Sequence, residues 1–204
     1  MNAPTAPARL KLTLAQYRAM GAHGILPRGL RVELIDGEVI EMAPIGPTHA
    51  GVLNRLVHHL GRLCEGRAVI SPQHPLQVDD HNEPEPDLCL LRWRDNFYAD
   101  RHALPADVLL LIEIADSSLR YDSTTKLELY ARAGVPHYWI VDLQQRSILA
   151  LANPQGLRYL SERRLGPGAR AALGDPGSPL EGLDVEVAEL LGLPTVNPPS
   201  PRKL

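Results

Sequence analysis

The chain has 204 residues, 44% hydrophobic and 22% charged, the balance of a globular protein long enough for one ordinary core. Its formal charge of −3 argues against a strongly basic nucleic-acid binder, though a local basic groove is compatible with it. No run of 18 apolar residues occurs and the start, MNAPTAPARL, lacks a signal-peptide layout, so the expected location is the cytoplasm with no membrane contact.

In chain order, residues 1–9 and the Pro-rich stretch 194–204 are expected to be disordered, and 10–193 to form one domain without internal repeats. TLAQYRAM predicts a short helix behind Thr13 as N-cap. RVELIDGEVIEM predicts a β-hairpin, because two alternating runs flank Asp36-Gly37, the pair favoured in a two-residue type I′ turn. THAGVLNRLVHHLGRLC places Val52, Leu53, Leu56, Leu60 and Leu63 at helical spacing, with Thr48 as the expected N-cap. RAVISPQHPLQV reads as one or two strands, and DLCLLRW and VLLLIEIAD as one strand each. STTKLELYARAG predicts a helix ending at Gly134, followed by the strand HYWIVD. SILALANP and GLRYLSERR form a further hairpin-like pair, and EGLDVEVAELLG closes the domain. Cys64 and Cys89 have no partner spacing for zinc and read as reduced thiols.

The runs at 108–116 and 137–142 flank one helix, which favours parallel pairing through a right-handed crossover. Runs as apolar as VLLLI and YWIV suit central strands covered on both faces. The hairpin strands before them are expected to extend the sheet antiparallel. The fold class is therefore α/β or α+β, with a mixed central sheet flanked by helices.

Within these apolar strands, two acids stand out. Glu113 lies inside VLLLIEIAD and shares its face with Leu111 and Ala115; burying it is costly unless it is paired, protonated or on a metal. It sits near the carboxyl end of its strand, where open α/β sheets build their sites. Asp87 opens the next strand back, behind Pro86. If the strands pair, both carboxylates can point into one cleft, and such hard oxygens suit magnesium or manganese. A metal there would polarise a phosphoryl oxygen and lower the pKa of a bound water. Lys126, on the following helix, reads either as a surface lysine paired with Asp122 or as an ammonium aimed into the cleft. Glu33 faces Ile40 across the hairpin and shares a face with Glu38, which by itself suggests a solvated face.

ELIDGEVIEMAPIGPTHAGVLNRL, EPDLCLL and LLLIEIADSSLRYDSTTKLELYARAGVPHYWIVDL together resemble the Uma-two family of restriction endonucleases, within the PD-(D/E)XK nuclease superfamily. The resemblance covers about residues 10–193 and is most specific from Glu113 to Asp142. It implies a restriction-endonuclease-like core with a carboxylate cluster holding Mg²⁺ or Mn²⁺. Pro86-Asp87 matches the family's PD and Glu113 its second acid. The superfamily's lysine two residues further on is replaced here by Ala115; in this family the lysine comes from the following helix, where Lys126 stands. Glu33 matches an acid of the hairpin motif, and Asp122, Tyr130 and Trp139 also match. Tyr130 and Trp139 read as core or wall residues, and Asp122 as a cap or supporting group. His49, at the start of the long helix, is an accessory candidate; the other histidines are assigned no role.

The expectation is a metal-dependent endonuclease acting on nucleic acid, DNA first, with Asp87, Glu113 and the Ile114 carbonyl holding the metal. Lys126 positions or activates the nucleophile and Glu33 assists. The alternative is a non-catalytic binding or assembly module on the same fold, favoured by the acidic balance and the scattered arginines. A homodimer is expected from the apolar strands and an open sheet edge.

Overall fold

The computed structural model describes residues 9–27 and 29–194. The terminal stretches expected to be disordered lie outside these, apart from Arg9 and Pro194.

Helix α1 (Leu14–Ala22) starts at a capping box in which Thr13 accepts from the Gln16 backbone while the Gln16 side chain reaches back. The hairpin follows as β1 (Val32–Ile35) and β2 (Glu38–Glu41), in the register Ile35↔Glu38 and Glu33↔Ile40. Asp36 and Gly37 have φ of 47° and 71°, the left-handed pair of a type I′ turn. A Cβ on Gly37 would lie 2.8 Å from Lys11 Cβ and 3.0 Å from the Leu12 carbonyl, so the turn needs glycine for space as well as for φ.

Helix α2 (Pro47–Leu63) buries Val52, Leu53, Leu56 and Leu60. At ~1.5–3 kcal/mol for each large side chain, these four anchor the helix more strongly than its propensity does. Its cap is not Thr48: the N-cap is Gly46, and Pro47 takes the first helical position, where its missing N–H costs nothing.

Six strands form one mixed sheet in the order β3-β4-β5-β6-β7-β8. These are β3 (Ala68–Pro72), β4 (Leu88–Arg92), β5 (Val108–Ala115), β6 (His137–Asp142), β7 (Ser147–Gln155) and β8 (Arg158–Leu165). β5 and β6 pair in parallel and every other neighbour pair is antiparallel. All eight residues of β5 are buried, as a strand covered on both faces requires. One face packs on α2 and, with Ile112, Ile114 and Trp139, forms one core; the other, with Leu111, Ala115 and Ile140, packs on Leu129 and Tyr130. The expectation that the first hairpin extends this sheet is overturned. β1 and β2 form a separate two-stranded sheet, joined to the segment before β4 by the Leu34–Glu83 bridge. β9 (Arg170–Ala172) and β10 (Asp184–Glu186) pair with each other, and α5 (Val187–Leu191) ends at Gly192.

The connection from β5 to β6 is a helix of changing pitch: α3 (Leu119–Tyr121), a π-helical turn (Asp122–Lys126) and α4 (Leu127–Arg132). The sequence suggested a regular helix beginning near Ser123. A π-turn leaves main-chain carbonyls out of the usual ladder, and two of them are satisfied from outside it. Tyr138 donates to the Asp122 carbonyl at 3.0 Å, and Thr124 to the Arg120 carbonyl at 2.6 Å.

Candidate active site

β4 and β5 pair in the register Leu88↔Ile112, and one further step sets Asp87 opposite Glu113. Two hydrogen bonds close that step. Asp87 N–H donates to Glu113 Oε2 at 3.2 Å, and Ile114 N–H donates to Asp87 Oδ2 at 2.8 Å. The two acids meet because the sheet ladder ends there. The N–H and C=O of one strand residue point to the same side, so the Ile114 carbonyl also leaves β5 on the Asp87 side.

Lys126 sits on the π-turn with its ammonium 2.9 Å from Glu113 Oε1 and 3.1 Å from Glu33 Oε2. It is 4% exposed, and the first turn of a regular helix, where the sequence placed it, is not its position. Glu33 is 2% exposed, which overturns the solvated-face reading. The hairpin carries it against the sheet end, where the Glu85 N–H also donates to it at 3.3 Å, while Glu38 on the same face stays outside with Lys11. Tyr130 donates to Glu113 Oε1 at 2.8 Å. Trp139 is a core residue of the opposite sheet face and no wall of the site.

His49, on the first turns of α2, places Nε2 3.0 Å from Asp87 Oδ2, where its N–H donates to the carboxylate. Asp122 accepts from the Ser118 hydroxyl at 2.6 Å and is 3% exposed, so it supports the turn from inside and caps nothing. One cavity of about 350 Å³ is lined by Glu33, His49, Asp87, Glu113, Asp122 and Lys126. Ile114 and Tyr121 also line it, and its outer wall comes from the segment 42–46 between β2 and α2. Every residue that the sequence proposed for the site is thus at this cavity.

Four carboxyl groups, Glu33, Asp87, Glu113 and Asp122, share this buried space with the single ammonium of Lys126. The consequences show in their protonation. Burial pushes the Glu113 carboxyl up to about 8, with Lys126 opposing and Asp87, Asp122 and Glu33 adding to the rise. Burial also raises Asp122 above the usual carboxylate range. Burial alone would lower Lys126, but Glu113, Glu33 and Asp122 outweigh it and hold the ammonium above its ordinary value. It is therefore a permanent cation at neutral pH.

Among the described residues, no three His, Cys, Asp or Glu side chains are gathered as a finished metal site. Here the ammonium of Lys126 lies between two of the acids. The donor set itself suits a hard cation: side-chain and main-chain oxygens, with negative charge in excess of positive.

The sequence missed one contact. Tyr130 reads as a core or wall residue, and its hydroxyl also holds Glu113; the spacing Asp122, Lys126, Tyr130 at every fourth residue places all three along one helix face and was the available signal.

The model of the family described as "Putative restriction endonuclease", Uma2, matches residues 14–184. The chain belongs to the Uma2 family. A solved structure described as "a putative nuclease belonging to DUF820 from Anabaena variabilis ATCC 29413" superposes on this Uma2 chain with a TM-score of 0.69. The two are 17% identical, and the match covers 89% of this chain and 98% of that one, which establishes a shared fold. No curated protein matches this Uma2 chain. Among the described residues, no helix is long and apolar enough to cross a membrane.

Proposed function

We propose that this Uma2 protein is a metal-dependent phosphodiesterase acting on nucleic acid, with DNA as its first substrate. The observation that carries this reading is the meeting of Asp87 and Glu113 at the end of one strand ladder, with Lys126 held beside them by Glu33. Asp87, Glu113 and the Ile114 carbonyl would hold Mg²⁺ or Mn²⁺. Such a cation, when bound, polarises a phosphoryl oxygen and stabilises the charge developing on it.

The chain's own residues do the rest. Lys126 is protonated at neutral pH, so it acts as a cation and not as a base. It orients the attacking water by hydrogen bonding and stabilises negative charge on the phosphoryl oxygens while the P–O bond breaks. Glu33 keeps the ammonium in place, Tyr130 keeps the Glu113 carboxylate in place, and His49 does so for Asp87. Asp122 steadies the turn that carries Lys126. The buried position of these groups strengthens each electrostatic contact.

Hydrolysis tests the reading. With Mn²⁺, the purified protein is expected to nick plasmid DNA, and Asp87→Ala or Glu113→Ala to abolish nicking with an unchanged circular dichroism spectrum. Intact DNA and RNA after long incubation would contradict it.

A second reading, a non-catalytic binding or assembly module, draws on the arginines. Arg94, Arg101 and Arg164 pair with Asp100, Asp107 and Asp142 of the same chain, which leaves fewer to meet phosphates. Such a module would leave DNA uncut. A homodimer belongs to either reading, since β3 and β8 are both outer strands of the sheet; sedimentation velocity reads it directly. The free, buried thiols of Cys64 and Cys89 suit the reducing cytoplasm.

A further inference from the structure

The cavity over the acids is larger than hydrolysis needs. An attacking water takes about 30 Å³ and a bare cation less, against a cavity of about 350 Å³. Its outer wall is also of a different kind from its floor. Residues 42–46 read MAPIG; Met42, Pro44 and Ile45 all line the cavity, and Ile45 is 38% exposed. The segment is tied down at both ends: Met42 N–H donates to the Arg31 carbonyl at 2.9 Å, and the Gly46 carbonyl accepts from Ala50 N–H at 3.0 Å. Pro44 and Pro47 fix φ on either side of Ile45. A pre-formed apolar wall above a floor of carboxyl groups suits a ligand that is charged at one end and uncharged at the other.

The charge around the mouth bears on how a nucleic acid arrives. Glu41 and Asp116 line the cavity and are exposed, adding to the four buried carboxyl groups. Among the described residues that line it, the three basic side chains already hold acids: Arg31 pairs with Glu85, His49 with Asp87, and Lys126 with Glu33 and Glu113. A duplex is gripped through the phosphates of both strands, and here those phosphates would meet acids rather than uncommitted cations. A base presented to the apolar wall carries no charge.

We propose that the cavity receives one unpaired nucleotide, its phosphodiester over Asp87 and Glu113 and its base against Met42, Pro44 and Ile45, so that single-stranded nucleic acid is cut in preference to duplex. The inference rests on the phosphodiesterase reading and names the substrate class of that site. A paired base reaches this wall only after it has been pulled out of the stack, and a duplex substrate is slowed by the cost of that step. A single strand offers its base without it.

A labelled DNA oligonucleotide with Mn²⁺, alone and annealed to its complement, tests this on the wild type. kcat/KM is expected to be at least about 10-fold higher for the single strand. Negatively supercoiled plasmid, which opens unpaired stretches, should likewise be nicked faster than the same plasmid relaxed. Equal rates, or faster cutting of the duplex, would overturn the proposal. Ile45→Ser removes an apolar contact at an exposed position, so the fold should hold. KM for the single strand is expected to rise about 10-fold with kcat little changed, and an unchanged KM would overturn the role of the wall. If the wild type cuts no nucleic acid, the phosphodiesterase reading fails on its own, and fluorescence anisotropy with Ca²⁺ in place of Mn²⁺ decides this inference. Tighter binding of the single strand than of the duplex, weakened about 10-fold by Ile45→Ser, keeps it; equal binding of the two, or no binding, removes it.

Discussion

Lys126 on the π-helical turn and Glu33 on the hairpin form a buried ion pair at 3.1 Å, and the same ammonium reaches Glu113 at 2.9 Å. Three parts of the fold, hairpin, central strand and crossover helix, are thereby locked at one point. Removing the cation would leave two buried carboxylates facing each other. Lys126→Met is expected to lose roughly 3–5 kcal/mol of stability at pH 8.5, because a broken buried pair leaves charge uncompensated. The loss should shrink at pH 5.5, where Glu113 holds its proton and needs the cation less. Urea unfolding at both pH values measures this, and equal losses would show that the pair is not the source.

Glu113 gives a pH dependence of its own. Its folded-state carboxyl is pushed up to about 8 by burial and by neighbouring acids, above the ordinary value of 4.5. The folded chain therefore holds this proton more tightly than the unfolded chain. The stabilising contribution is complete below 4.5 and fades as the pH rises through about 8. In metal-free buffer, the wild type should lose about 2–4 kcal/mol relative to Glu113→Gln between pH 5 and pH 8.5. Parallel stability curves for the two proteins would contradict the raised value.

Tyr130 supports Glu113 through a 2.8 Å hydrogen bond in a fully buried place. Tyr130→Phe leaves the packing and removes that donor. A cost of about 1.5–3 kcal/mol is expected, as for a hydrogen bond to a charged group, read by chemical denaturation above pH 8.5, where Glu113 is ionised. The contrast with Tyr121→Phe, whose hydroxyl has no hydrogen-bond partner among the described residues, makes the pair of variants informative together.

The hairpin turn carries the site at a distance. Gly37→Ala combines a left-handed φ of 71° with a contact of 2.8 Å to Lys11, so the turn must open. A loss of about 1–3 kcal/mol is expected. Because the turn sets the register that buries Glu33, activity should fall as well, although the turn itself does not line the cavity. Calorimetric melting and an initial-rate assay read the two effects separately.

The hairpin, the β5-helix-β6 unit and the convergence of Asp87 with Glu113 were legible because each follows from local pattern: Asp36-Gly37 between alternating runs, two apolar strands around one helix, and acids at strand ends. The burial of Glu33 was not. Alternation tells which residues share a face, and Glu33 and Glu38 do share one, but only docking of the hairpin decides that one end of that face is covered. Thr48 looked like a cap because its hydroxyl is the usual choice, whereas the helix starts at Pro47 behind Gly46, two residues earlier than that cap implies. The π-turn left no trace either, since it is held by Tyr138 from another strand. Lys126 and Tyr130 fell on the right face by spacing, but their contact with Glu113 depends on how the crossover packs on the sheet.

Calorimetric titration of Mn²⁺ into the wild-type chain, beside Asp87→Asn and Glu113→Gln, tests the central claim most directly. The account predicts one binding event in the wild type, weakened at least about 10-fold by either substitution. No binding by the wild type, or equal affinity in all three proteins, would contradict it.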